Sequence, residues 1–161
     1  ACTTLGPVTE SALKNLRDTT GLYLPDQPGG DIPTLPTDIT EMGDEDLMVL
    51  YADFVAWGDY ASAQLAVCSV EEREEVRIHE LEKARAMATS GGRSVTESKA
   101  SAEVASEETG RDVIERYAYR RLVEAISVNM ERDAALLSRE LSRRLGDRVP
   151  SAAKRRSWST P

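Results

Sequence analysis

The chain has no proline between Pro36 and Pro150, and this gap constrains its fold more than any other feature. Because proline breaks a helix interior, a proline-free stretch of this length is compatible with long helices. Between Asp44 and Gly91 the only glycine is Gly58. Apolar residues in the stretch recur at steps of three and four, which is the spacing of one helix face. The gap therefore predicts long amphipathic helices.

The first of these stripes predicts a helix from about residue 44 to residue 88. It consists of Leu47, Leu50, Phe54, Trp57, Ala61, Leu65 and Cys68, followed after "EEREEVR" by Ile78, Leu81, Ala84 and Ala88. The glycine pair in "TSGGR" predicts its end. Ser94 and Glu97 then form a capping-box pattern, so residues 94–109 should be helical, with a thin stripe at Val95 and Val104. We expect a break at Gly110.

A second long helix is predicted from Asp112, ending at Gly146 and Pro150. Its apolar row consists of Ile114, Ala118, Leu122, Ile126, Met130, Ala134, Leu137, Leu141 and Leu145. Residues 44–149 should thus form an all-α, long antiparallel hairpin resembling a coiled coil. Only 40% of the chain is hydrophobic and 5% is aromatic, so we expect incomplete self-burial and a homo-oligomer.

Residues 1–43 are predicted to form an extended arm. Pro7 can open a short helix that Gly21 ends, and the following "LYLPDQPGGDIPTLPTDIT" holds four prolines, which favour an extended backbone. A disordered tail is the alternative. The apolar content favours an arm that lies on a partner surface, with contacts from Leu22, Tyr23, Ile32 and Leu35.

Charge is divided unevenly along the chain. Residues 1–110 hold 8 basic and 21 acidic side chains, a balance of −13, whereas residues 111–161 hold 12 and 7, a balance of +5. The stretch "SRELSRRL" (138–145) and the basic tail (150–161) could contact a polyanion, or their arginines could pair with carboxylates of neighbouring molecules. The candidate polyanion contacts are Arg139, Arg143, Arg144, Arg148, Lys154, Arg155 and Arg156.

Signatures of catalysis are missing from the sequence. His79 is the only histidine, and with Cys2 and Cys68 it makes no zinc ligand set. No glycine loop precedes a Lys-Ser/Thr pair, and no apolar run is long enough to cross a membrane. We expect no catalytic residue, no cofactor and no metal. Trp57 and Tyr60 could pack in the core or stack on a base.

The order of these segments resembles a known group of proteins. "LMVLYADFVAWGDYASAQLA", a charged helix, "VTESKA", and "AYRRLVEAI" running into "ERDAALLSRELSRR" resemble small helical proteins of tailed bacteriophages. The layout is also similar to that of UvsY-type recombination mediators, which are helical oligomers that bind single-stranded DNA and load a recombinase. The resemblance covers about residues 45–145 and lies in helix order and spacing. The acidic first helix departs from what a DNA-coating protein would prefer.

Two functions follow as expectations. The first is a non-enzymatic structural or assembly component of a phage particle (a minor capsid, neck or tail-associated protein), assembled in the host cytoplasm and binding other virion proteins. The second is a mediator that binds single-stranded DNA in the host cytoplasm. A regulator that sequesters a host protein through the first helix is a third possibility.

Overall fold

The computed structural model describes residues 6–89 and 94–148, and these form an all-α helical hairpin. In order, the helices are α1 (Pro7–Thr20), α2 (Asp44–Thr89), α3 (Val95–Ala105) and α4 (Glu107–Arg148). No strand occurs in these two ranges. The predicted fold class is confirmed, and so is α1, which begins at Pro7 and ends at Gly21 with φ of 69°.

The hairpin consists of α2 packed against α3 and α4, which run antiparallel to it. Ser62 bonds Ser127 through the two hydroxyls at 2.9 Å, and Lys83 meets Glu103 at 2.6 Å. Residues later in α2 therefore contact residues earlier in the α3–α4 segment. Residues 94–105 are part of the hairpin, with Ala102 almost fully buried.

The start of α3 is the predicted capping box. The Ser94 hydroxyl accepts from the backbone N–H of Glu97 at 3.3 Å, and the Glu97 carboxylate accepts from the N–H of Ser94 at 3.0 Å. The expected stripe on α3 is wrong, because Val95 and Val104 are more than 70% exposed.

The break between α3 and α4 lies at Ser106, so the prediction of a break at Gly110 is wrong. The hydroxyl of Ser106 donates to the carbonyl of Ala102 at 2.9 Å, and such bonds back to the preceding turn bend helices. Gly110 lies within α4, where an added Cβ would come within 3.3 Å of His79 Cε1. Helix α4 also continues past Gly146, which was expected to end it.

The core occupies the half of the hairpin that contains the start of α2 and the end of α4. Leu47, Phe54, Trp57, Met130 and Leu137 form its buried cluster. Next to Trp57, Gly58 lies with its Cα toward Met130, and an added Cβ would sit 3.6 Å from Met130 Cβ. Trp57 meets Tyr60 edge to face at 6.0 Å. Trp57 is therefore a core residue rather than an exposed stacking surface.

The packing face of α4 follows a seven-residue repeat rather than the predicted row. Ten of its buried and half-buried residues alternate steps of three and four: Val113, Arg116, Arg120, Val123, Ser127, Met130, Ala134, Leu137, Leu141 and Arg144. The predicted row moves mostly by fours, and each such step turns about 40° around the helix. Over the four steps between Ile114 and Met130 this adds up to about 160°. The prediction of one unbroken apolar face is therefore wrong.

Candidate interaction surfaces

The predicted packing residues of α2 lie toward α4, whereas those of α4 divide into two groups. Leu47, Phe54 and Trp57 are buried, and Leu50 and Leu65 are half-buried. On α4, Leu137 is fully buried and Leu141 packs against the core cluster. The remaining four are exposed: Ile114 (69%), Leu122 (65%), Ile126 (40%) and Leu145 (63%).

Beyond the apolar core cluster, the seam between α2 and α4 contains ion pairs beside Val113, Val123 and the buried Cys68. Arg116 donates to the Glu71 carboxylate at 3.0 Å, and Arg120 donates both to Glu72 and, at 3.2 Å, to Glu124. Hydrogen bonding to Glu72 raises the pKa of Arg120. Glu71 is only 7% exposed, so Arg116 supplies the compensation that a buried carboxylate requires.

One oxygen of Glu71 has no hydrogen-bond partner among the described residues. Oε1 is buried and accepts no bond from them, while Oε2 accepts from Arg116. Because only one oxygen of the Glu71 carboxylate accepts a hydrogen bond, the stability of the seam depends on Arg116. This charged seam was missed in the sequence, although Glu72 and Glu75 continue the same steps of three and four as Leu65 and Cys68.

A polar cluster joins α2 to the start of α4. His79 Nδ1 lies 3.1 Å from the hydroxyl of Thr109, and that hydroxyl lies 3.0 Å from the Glu82 carboxylate. The imidazole ring also packs over Gly110. His79 therefore has a structural role at this joint.

Arg144 ties the arm to the end of α4. Its guanidinium donates to Glu140 and to Asp44 at 2.7 and 2.8 Å. It also donates to three backbone carbonyls of the arm's last residues, those of Ile39, Thr40 and Met42, at 2.7 to 3.0 Å. Only 14% of the side chain is exposed. These residues form what we call the arginine clasp, and its forked geometry suits arginine rather than lysine.

Glu140 is the anion at the centre of the clasp. Hydrogen bonds from Arg143 and then Arg144 lower its pKa to about 2, against an opposing effect of burial. Arg143 also pairs with Asp147 at 2.9 Å. Within "SRELSRRL", the two adjacent arginines thus pair with carboxylates of their own chain. The sequence had expected carboxylates of neighbouring molecules or a polyanion.

The remaining candidate polyanion contacts are less well placed. Arg139 is exposed on α4. The side chain of Arg148 and the residues Lys154, Arg155 and Arg156 lie outside the described part of the molecule, where the prediction remains as it was. Among the described candidates for polyanion contact, Arg139 alone is exposed and forms no ion pair with the described residues, whereas the sequence predicted a basic cluster.

The arm contacts the hairpin near both ends, through α1 and through residues 35–42, and exposes apolar side chains between them. Leu35 packs against the core cluster together with Ile39 and Met42. The other predicted arm contacts are exposed: Leu22 (61%), Tyr23 (69%) and Ile32 (49%). Arg17 of α1 lies over the Tyr23 ring at 5.1 Å, and α1 with residues 22–24 lines an open groove of about 470 Å³.

No group of three or more His, Cys, Asp or Glu side chains that could hold a metal ion occurs in residues 6–89 and 94–148. Cys68 is buried there, and burial raises the pKa of its thiol. The same residues contain no helix that is both long enough and apolar enough to span a membrane. No family model, curated protein or solved structure matches the chain.

Proposed function

We propose that the protein is a non-catalytic structural or assembly component that acts by packing its helices against further protein chains, as a part of a tailed-phage particle. The observation that carries this proposal is the outward position of large apolar residues on α4. Ile114 and Leu122 are about two-thirds exposed, while Arg116 and Arg120 of the same stretch face α2. Exposed apolar groups of this kind are typical of protein-binding surfaces.

The arm supports the same role. The arginine clasp holds its last residues to the hairpin, and α1 near its other end contacts α2. Between these two attachments, Leu22, Tyr23 and Ile32 remain exposed. Exposed apolar side chains on a segment that is held at both ends suit contact with a neighbouring subunit. The phage assignment itself depends on the resemblance in helix order.

The geometry gives less support to binding of nucleic acid. Arg143 and Arg144 hold carboxylates at 2.7 to 2.9 Å, so a phosphate would have to displace them. Arg139 alone, among the described candidates, has an exposed position without such a pair. Affinity for single strands would then depend mainly on the tail beyond residue 148.

Mass spectrometry of purified phage particles tests the proposal. The protein should be present at a stoichiometric level, whereas a replication protein from the same lysate should be lost on purification. Absence from the particles would contradict the particle assignment. A shift of labelled single-stranded oligonucleotide that weakens with salt, with a log–log slope of about −0.7 per phosphate contacted, would favour the mediator instead.

A further inference from the structure

Between residues 113 and 128, helix α4 carries arginines beside Val113 and Val123 on the side turned to α2, and large apolar residues on its outer side. The side turned to α2 carries Arg116 and Arg120, whereas Ile114, Leu122 and Val128 are 57 to 69% exposed. A helix packed in a hairpin normally buries its apolar side and exposes its charges. Large apolar residues on the outer side are what a helix shows when a second helix covers that side.

The exposed residues form one continuous surface, which we call the outer patch. Ala118, Leu122 and Ala125 succeed each other at steps of four and three, so they lie on one line along the helix. Ile114 and Val128 lie on one flank of this line, and Tyr119 and Ile126 lie on the other. Two alanines beside one leucine allow a second helix to approach closely.

We propose that the outer patch binds the outer patch of a second copy of this chain, with the two α4 helices antiparallel and Leu122 on the two-fold axis. This proposal rests on the proposed function and names its partner. A two-fold contact places the same surface on both chains. In this arrangement, residues equally far from Leu122 in opposite directions meet, so that Ala118 lies against Ile126 of the other copy.

Charge at the ends of the patch favours the antiparallel direction. Asp112 and Arg132 are equally far from Leu122 in opposite directions. Antiparallel pairing therefore brings a carboxylate to a guanidinium at both ends. Parallel pairing would bring Asp112 to Asp112 and Arg132 to Arg132, which is repulsive.

The charged groups near the patch are compatible with this pairing. Arg111 and Arg132 are 76% and 68% exposed, and their present partners, Glu107 and Asp133, lie on their own helix. Arg121 would come near Arg121 of the other copy, but each Arg121 forms an ion pair with Glu124 of its own chain at 2.7 Å. Glu115 lies seven residues before Leu122 on the same side of the helix, and antiparallel pairing places it opposite Asn129 of the other copy, whose amide can donate to the carboxylate.

Sedimentation equilibrium of the full chain, with two substitutions, tests the interface. Wild-type protein should form a dimer, and Leu122→Glu should raise the dissociation constant of that dimer by about thirtyfold or more. The control is Leu145→Glu, because Leu145 is equally exposed on α4 but lies outside the patch; it should leave the dimer intact. Circular dichroism of both variants should match the wild type, since neither side chain is buried. A monomeric wild type, or a dimer that Leu122→Glu leaves unchanged, would overturn the proposal.

Cysteine cross-linking tests the direction. In a Cys2→Ser chain, Leu122→Cys should cross-link to itself. Asp112→Cys and Arg132→Cys should cross-link to each other when the two chains are mixed, and neither should do so alone. Self-linking of Asp112→Cys, or docking of a different protein on the patch, would overturn the arrangement. A chain that is monomeric but abundant in particles would contradict this inference alone, and a dimer through α4 that is absent from particles would contradict the proposed function alone.

Discussion

Two leucines of α4 provide a direct test of which side of the helix faces α2. Leu137 has no exposed surface and belongs to the core cluster, whereas Leu122 is 65% exposed. Both lie in the apolar row that the sequence predicts, so a sequence-based expectation would treat them alike. Truncation of each to alanine separates the two interpretations.

The expected magnitudes follow from burial. Leu137→Ala removes a fully buried side chain and leaves a cavity, which costs about 3 to 5 kcal/mol in the free energy of unfolding. At Leu122 only about a third of the side chain is covered, and full burial of a leucine contributes about 1.5 to 3 kcal/mol. Leu122→Ala should therefore cost at most about 1 kcal/mol, and the higher helix propensity of alanine offsets part of that.

Urea unfolding followed by circular dichroism at 222 nm measures both values. The protein must be dilute enough to be monomeric, because a dimer through the outer patch would add concentration-dependent stability at Leu122. An unchanged slope with urea would show that only stability had changed. If Leu122→Ala costs as much as Leu137→Ala in dilute protein, the packing face assigned to α4 is wrong.

Three further predictions concern the charged seam, the glycines and the clasp. Arg116→Met should lower the free energy of unfolding by about 3 kcal/mol because Glu71 stays buried without a partner, and adding Glu71→Leu should restore most of the loss in the same urea assay. Gly146→Ala should raise stability by roughly 0.5 to 1 kcal/mol, since nothing lies within 4 Å of the new Cβ; Gly110→Ala should give no such gain in thermal unfolding, since its Cβ would crowd His79. The pKa of Glu140 in the folded chain, about 2, lies below its ordinary value of 4.5. The ion pairs of Glu140 therefore contribute fully to the free energy of unfolding above pH 4.5, and this contribution is lost as the pH falls toward 2. In a series of urea unfolding curves over that pH range, the free energy of unfolding of Glu140→Gln should change less than that of the wild type.

The helices could be predicted because their signals are local. Pro7 and Gly21 bound α1, and Ser94 with Glu97 caps α3. Long stretches free of proline, with apolar residues at steps of three and four, indicate helices whatever packs against them. The all-α hairpin follows from these local signals and from the glycine pair between its two long segments.

The placement of the arginines could not be predicted in this way. The identity of a basic residue does not tell whether its partner is a phosphate, another chain or a carboxylate distant in the same sequence. Arg144 reaches carbonyls of the arm about a hundred positions earlier. Only the antiparallel return of α4 brings that end of the helix beside the arm.

The sequence by itself determined which segments are helical and that their apolar surface exceeds what two helices can cover. Tertiary structure decided which residues make up the seam. Steps of four in place of alternating steps of three and four move a row of residues around the helix and away from the neighbouring helix. In α4 this places Arg116 and Arg120 against α2 and turns Ile114 and Leu122 outward. The register is set by contacts between distant residues, and no single helix carries that information.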